Sequence, residues 1–191
     1  MTRTRHILAA TLTACATLTA AAPALAAPAQ AAVPGTFIKT VSFGPNCPGH
    51  SSILSDDRRT LTVAFDGFDA AVGPTTPITE RRKNCAVTLN MNTPLLTSYT
   101  VNTTINGFAQ IPAGATGHID NTTSANLTPS NVNRAFPAGT TGEYTKTFTT
   151  PSLLPGAGST QPATINTIAN LTGPTTNDGI LTVDTIDFKI N

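Results

Sequence analysis

Apolar side chains recur at alternate positions along most of this chain, and Gly or Pro interrupts them roughly every ten residues. Leu61, Val63 and Phe65 share one parity, and so do Cys85, Val87, Leu89 and Met91. Tyr99, Val101 and Ile105 form a third set. Successive side chains of a strand point to opposite faces, so this period marks half-buried strands. No window carries a helical period. Strands are predicted over 36–43, with Phe37, Val41 and Phe43 inward, and over 60–66, 68–72, 85–91, 99–105, 117–123, 143–149, 164–170 and 179–190.

Parity changes at three places. Beyond Gly67 the apolar positions become Phe68, Ala70 and Val72, and Gly107 precedes a shift to Phe108. Leu181 and Val183 lie on one parity, Ile186, Phe188 and Ile190 on the other. A bulge or tight turn is expected at Gly67 and a bulge near Asp184. The stretches 124–142 and 151–162 are polar or Pro/Gly-rich and read as surface loops. Eight to ten short strands predict a β-sandwich of jelly-roll or immunoglobulin-like type, with a closed barrel as the alternative.

Composition changes this picture in two ways. Charged residues are only 11%, and there is no Trp, so the core rests on Val, Ile, Leu and Phe while Thr, Asn and Ser supply the polarity. The net charge of +1 becomes −1 once Arg3 and Arg5 are removed with a leader, which leaves no footprint for nucleic acid.

A leader is predicted from a basic start (Arg3, Arg5, His6), an apolar run over 7–22 and small-x-small sites ending at Ala26 and Ala31. The expected organisation is a signal peptide over 1–26 (alternative end 31), a flexible segment over 27–35 and one β-sandwich domain over 36–191. Thr11, Thr13, Thr17 and Thr19 dilute the run, so no membrane span is expected. Leu12-Thr13-Ala14-Cys15 has the form of a lipobox, which makes a lipid anchor on Cys15 the alternative to a secreted protein.

The mature chain retains two cysteines, Cys47 and Cys85. An even count in an exported chain predicts a disulfide, and two cysteines allow one connectivity. The alternation places Cys85 on the core side of its strand, which favours a bridge over a reactive thiol activated by Arg82, Lys83 or His50.

Candidate chemistry is sparse. His50 and His118 are the only histidines beyond the leader, and His118 shares a strand face with Asp120. No zinc-ligand spacing or nucleophile elbow is present. Asp66 and Asp69 flank the Gly67 break, and Asp184 and Asp187 lie on the final strand. Paired carboxylates suit glycoside hydrolysis or, with backbone oxygens, calcium. Arg81-Arg82-Lys83 is the one basic cluster, expected to pair with Glu80. Glycosylation sequons begin at Asn102, Asn121, Asn126 and Asn170. These observations assign no catalytic residue, metal site or cofactor.

The run from Thr60 to Phe68, followed by Arg82-Lys83-Asn84-Cys85, resembles the secreted actinobacterial and fungal family catalogued as domain of unknown function 4360. The runs Gly107-Phe108-Ala109-Gln110-Ile111, Thr164-Ile165-Asn166-Thr167 and Leu181-Thr182-Val183-Asp184-Thr185 are similar to its later motifs. Arg81 departs from the family's Ser, and the second Cys pair of many members is missing. The resemblance implies a secreted β-rich domain and brings no activity. The expected function is a non-enzymatic extracellular or cell-wall-associated domain that binds a surface polymer or a surface protein. The alternative is a secreted glycan hydrolase working through Asp66, Asp69 or Asp184.

Overall fold

The computed structural model describes residues 35–94, 98–125, 128–151, 153, 160–174 and 176–191. The leader, Cys15 and the sequon at Asn126 lie outside the described residues. Twelve strands follow in order: β1 (Phe37–Phe43), β2 (Gly49–Leu54), β3 (Thr60–Asp66), β4 (Asp69–Val72), β5 (Arg82–Asn92), β6 (Val101–Gln110), β7 (Thr116–Ala125), β8 (Thr128–Phe136), β9 (Thr141–Thr149), β10 (Thr160–Thr172), β11 (Gly179–Thr182) and β12 (Thr185–Ile190). A 3-10 turn over Ile78–Arg81 leads into β5.

The strands form two antiparallel sheets. The first has the order β1-β5-β10-β7-β8. In the second, β3 pairs β12 and β4 pairs β11, while both β11 and β12 pair β6. So β3 and β4 occupy one lane, and β12 and β11 the next. With β2 beside β3 and β9 beside β6, the second sheet also has five lanes. Apart from the exposed β2, the lanes turn alternate residues inward. Cys85, Val87, Leu89 and Met91 face Val63, Ile105, Ile186 and Phe188 in one buried cluster. The molecule is the β-sandwich that the alternation predicts.

Both expected breaks are present. Gly67 has φ +84°, a backbone conformation that favours glycine, and it separates β3 from β4. Across β6, the step from Asn106 to Ala109 matches the longer step from Thr185 back to Leu181, so Val183–Asp184 holds one extra residue. The breaks lie side by side. Val183 N–H donates to Phe68 O (3.0 Å), and Phe65 N–H donates to Asp184 O (2.9 Å). Asp184 N–H also donates to Asn106 O at 2.9 Å, so both amides of the bulge are paired.

Four expectations fail. The stretch 124–142 is not a loop: it holds the end of β7, all of β8 and the start of β9. As an edge strand, β8 turns Val132 and Phe136 inward but carries polar residues elsewhere, so its apolar period is weak. Likewise 151–162 contains the start of β10, and Leu153 bridges Tyr99. In β1 a register shift at Lys39 turns Ile38 inward with Val41 and Phe43, in place of Phe37. No parity shift occurs at Gly107, since β6 alternates without interruption and Phe108 faces outward. The exposed β2 was not predicted at all.

Sulfur atoms of Cys47 and Cys85 are bonded at 2.02 Å. Cys85 is fully buried in β5, and Cys47 lies in the loop that carries the chain from β1 in the first sheet to β2 in the second. The opposite side of the sandwich is closed by cations over rings. Arg134 of β8 sits 5.6 Å from the Phe148 ring of β9, and Lys146 of β9 sits 4.9 Å from the Phe136 ring of β8.

Candidate binding face

In the middle of the second sheet's outer face, on β3, β12, β6 and β9, most side chains are hydroxyls or amides. Register brings them into rows across the lanes. One row runs Thr62, Asp187, Thr104 and Thr147. The next runs Ser51, Ala64, Thr185, Asn106 and Thr145. Several neighbours in a row hydrogen-bond one another. Thr62 Oγ1 donates to Asp187 Oδ1 at 2.6 Å. Asn106 Nδ2 donates to Thr185 Oγ1 at 3.1 Å, and Thr145 Oγ1 donates to Asn106 Oδ1 at 2.8 Å. These bonds fix rotamers that would otherwise be free, so the face is preorganised. Lanes about 4.8 Å apart give a four-lane row a span of about 14 Å.

A shallow depression of about 330 Å³ opens at the β2–β3 end of this face, lined by Gly49, His50, Ser51, Ala64, Phe65 and Asp66. It forms because Gly49 and Ala64 are small beside larger neighbours. The His50 ring stacks 4.0 Å from Phe43, and its Nδ1 lies 2.9 Å from Pro48 O.

The other sequence candidates fall elsewhere. On the outer face of the first sheet, Asn133 bridges His118 and Asp120. Its Nδ2 donates to Asp120 Oδ1 at 2.5 Å, and its Oδ1 is 3.4 Å from His118 Nδ1. Lys83 pairs with Glu80 at 2.6 Å, as expected for the basic cluster. Arg82 and Asn84 sit at the start of β5, ahead of Cys85. Of the sequons, Asn121 is buried and donates to Thr167 Oγ1, so its amide is closed to modification in the folded state. Among the described residues, no group of three His, Cys, Asp or Glu converges as a metal site would require.

The aspartates at the two breaks do approach one another. Asp69 has its pKa raised, first by burial, then by Asp184 and, less, by Asp66, while Lys83 opposes the shift. Asp184 accepts from Thr182 Oγ1 at 3.0 Å. A carboxyl raised in the fold favours folding below its unfolded value and loses that contribution as pH rises through the folded value. At neutral pH the ionised Asp69 therefore costs stability. Asp69→Asn is expected to raise Tm at pH 7 by about 1–2 °C, with the gain gone below about pH 4. Thermal unfolding across that range tests this, and a gain equal at both ends would refute it.

The family described as domain of unknown function (DUF4360) matches residues 36–191. An uncharacterized secreted protein of the fungus Arthroderma benhamiae is 35% identical over 77 residues, covering 39% of this chain and 31% of the relative. This chain thus spans under a third of that relative's length in the match. Among solved structures, TmCBM61 in complex with beta-1,4-galactotriose aligns with a TM-score of 0.38 at 8% identity, over 81% of this chain and 90% of that one. A carbohydrate-binding module of the β-sandwich superfamily aligns with a TM-score of 0.30 at 14% identity, over 81% and 55%. At such scores neither likeness bears on this chain's ligand. Among the described residues no helix is long and apolar enough to cross a membrane.

Proposed function

The chain belongs to the family described as domain of unknown function (DUF4360), and on that premise we propose that it is an exported, non-enzymatic β-sandwich that binds a neutral, hydroxyl-rich polymer of a cell surface. The contact is the outer face of the second sheet. One observation carries this: two adjacent rows, Thr62–Asp187–Thr104–Thr147 and Thr185–Asn106–Thr145, of hydroxyl and amide groups around the single carboxylate of Asp187, whose Oδ1 already accepts from Thr62. Hydroxyl and amide groups both donate and accept, as polysaccharide hydroxyls require. They also shed water at lower cost than charges would.

Retention on insoluble wall polysaccharides tests the proposal. Thr145 and Thr147 are exposed on β9, so Thr145→Lys with Thr147→Lys should change stability by about 0.5 kcal/mol at most. Retention should weaken about tenfold, equivalent to 1.4 kcal/mol. Wild type washing freely through every polymer, or a double variant retained like wild type, would refute it.

A second reading rests on the raised Asp69 carboxyl beside Asp184. A carboxyl pushed upward by burial and a neighbouring carboxylate is the direction of shift that a glycan hydrolase needs in its acid. Release of reducing ends from the same polymers, lost in Asp69→Asn, would favour it over simple binding. The depression at Asp66 contains neither Asp69 nor Asp184, which weighs towards binding.

A further inference from the structure

Among the described residues five strands lie at sheet edges, β1 and β8 in the first sheet and β2, β4 and β9 in the second. Exposed edges invite pairing, and proteins guard them with charges, Pro or bulges. All but β2 are guarded, β4 by being only four residues long and starting at Asp69. Along β1, a register shift falls at Lys39, and Arg58 Nε donates to Ile38 O at 2.8 Å, covering an edge carbonyl. β8 carries Pro129 and Arg134, and β9 carries Glu143 and Lys146, with Arg134 and Lys146 crossing over aromatic rings of the facing sheet. β2, by contrast, reads Gly-His-Ser-Ser-Ile-Leu, with neither Lys, Arg, acid nor Pro, and all but Leu54 are exposed.

The hydrogen-bonding groups of β2 point outward in a definite pattern. Ser55 N–H donates to Thr60 O at 2.9 Å, closing the hairpin with β3. Antiparallel ladders alternate. Ser55, Ile53, Ser51 and Gly49 therefore bond towards β3, and the amides and carbonyls of His50, Ser52 and Leu54 face the open edge.

We propose that β2 pairs antiparallel with β2 of a second copy of this chain, about a two-fold axis at Ser51. The occupant follows from self-complementarity. Gly49, Ser51 and Ile53 share the outer face, since they pair with Asp66, Ala64 and Thr62. With Ser51 opposite Ser51, Ile53 of each copy lies over Gly49 of the other, at the mouth of the depression lined by Gly49, Ser51, Ala64 and Asp66. Ile53 is 74% exposed in the single chain, so it has apolar surface to bury. One strand thus carries both the projection and the recess, two positions either side of the axis, as an isologous interface requires. No charge on either β2 opposes the approach. Two five-lane sheets become one continuous sheet, whose outer rows lengthen the polar face without covering it. The dimer does not depend on polymer binding, so the two fail separately.

Pairing through one short strand buries less than a standard interface of about 1,600 Å², so association will be weak and concentration-dependent. Sedimentation velocity of the purified protein across a concentration series should show conversion of monomer to dimer. Hydrogen exchange at the amides of His50, Ser52 and Leu54 should slow in step. Ile53→Lys and Ser52→Pro should each weaken association at least tenfold and leave Tm unchanged, because Ile53 is exposed and the Ser52 amide faces the open edge. A wild type that stays monomeric up to about 1 mM would overturn the proposal. So would a dimer that survives both substitutions, or one that leaves those three amides exchanging freely. Slowing of the same amides by an added extended peptide, with the chain still monomeric, would assign the edge to a foreign strand instead.

Discussion

Removing the Cys47–Cys85 bridge is expected to destabilise the fold by about 4 kcal/mol, the chain-entropy value for cross-linked residues separated by 38 in sequence. For a domain of this size that corresponds to a fall in Tm of roughly 8–16 °C. The native corner is already pinned without the sulfurs: Gly44 N–H donates to Ala86 O at 2.8 Å, and β1 pairs with β5 up to Phe43 and Val87. The lost stability therefore belongs to the unfolded chain, which regains freedom between two distant cysteines. Cys85 is fully buried, so Cys47→Ala with Cys85→Ala is the proper variant, since serine would add an unpartnered hydroxyl to the core. Thermal unfolding of this variant beside the wild type, with and without reductant, checks the prediction. A shift below about 3 °C would show that the corner, and not the bridge, limits the unfolded ensemble.

How far this was readable depends on what each residue reports about. The inward parity of Cys85, Val87, Leu89 and Met91 is a property of one strand, and the sequence carries it in full. The same holds for the breaks at Gly67 and Asp184, where apolar residues change sides. β8 and β2 escaped because an edge strand with little to bury has no period to show. Thr128–Phe136 mixes Pro, Asn and Arg with two inward apolar side chains, and Gly49–Leu54 exposes nearly everything. The candidate face was legible only as composition. A polar Thr/Asn surface could be foreseen, but the rows could not. Asp187 neighbours Thr62 and Thr104 through pairings between distant segments, and no local pattern encodes that register. Asp69 and Asp184 meet for a similar reason, because each sits at a break and the two breaks occupy adjacent lanes.

Gly107→Val sets local preference directly against packing, and packing is expected to win. Val is a better strand residue than Gly, so propensity alone predicts a gain of up to about 1 kcal/mol within β6. Gly107, however, lies on the buried side of β6 where the β11–β12 lane bulges towards it. A Cβ there would overlap the carbonyl oxygen of Thr182 and approach the Tyr144 hydroxyl at 2.8 Å. Neither neighbour is free to yield. Tyr144 donates to that same carbonyl at 2.5 Å, and Thr182 Oγ1 accepts from Phe108 N–H at 3.0 Å. Burial, with Asp184 nearby, raises the Tyr144 pKa, so the hydroxyl keeps its proton at neutral pH. Overpacking against backbone should cost about 3 kcal/mol, or roughly 6–12 °C in Tm. Tyr144→Phe, which removes only the hydroxyl, should cost about 1 kcal/mol. If the glycine serves only to fit the backbone past Thr182, Gly107→Val in the Tyr144→Phe background should recover little of its loss. An unchanged or higher Tm in Gly107→Val would mean that the lane can shift outward at that point, and that the bulge at Val183–Asp184 is a soft joint in the sheet.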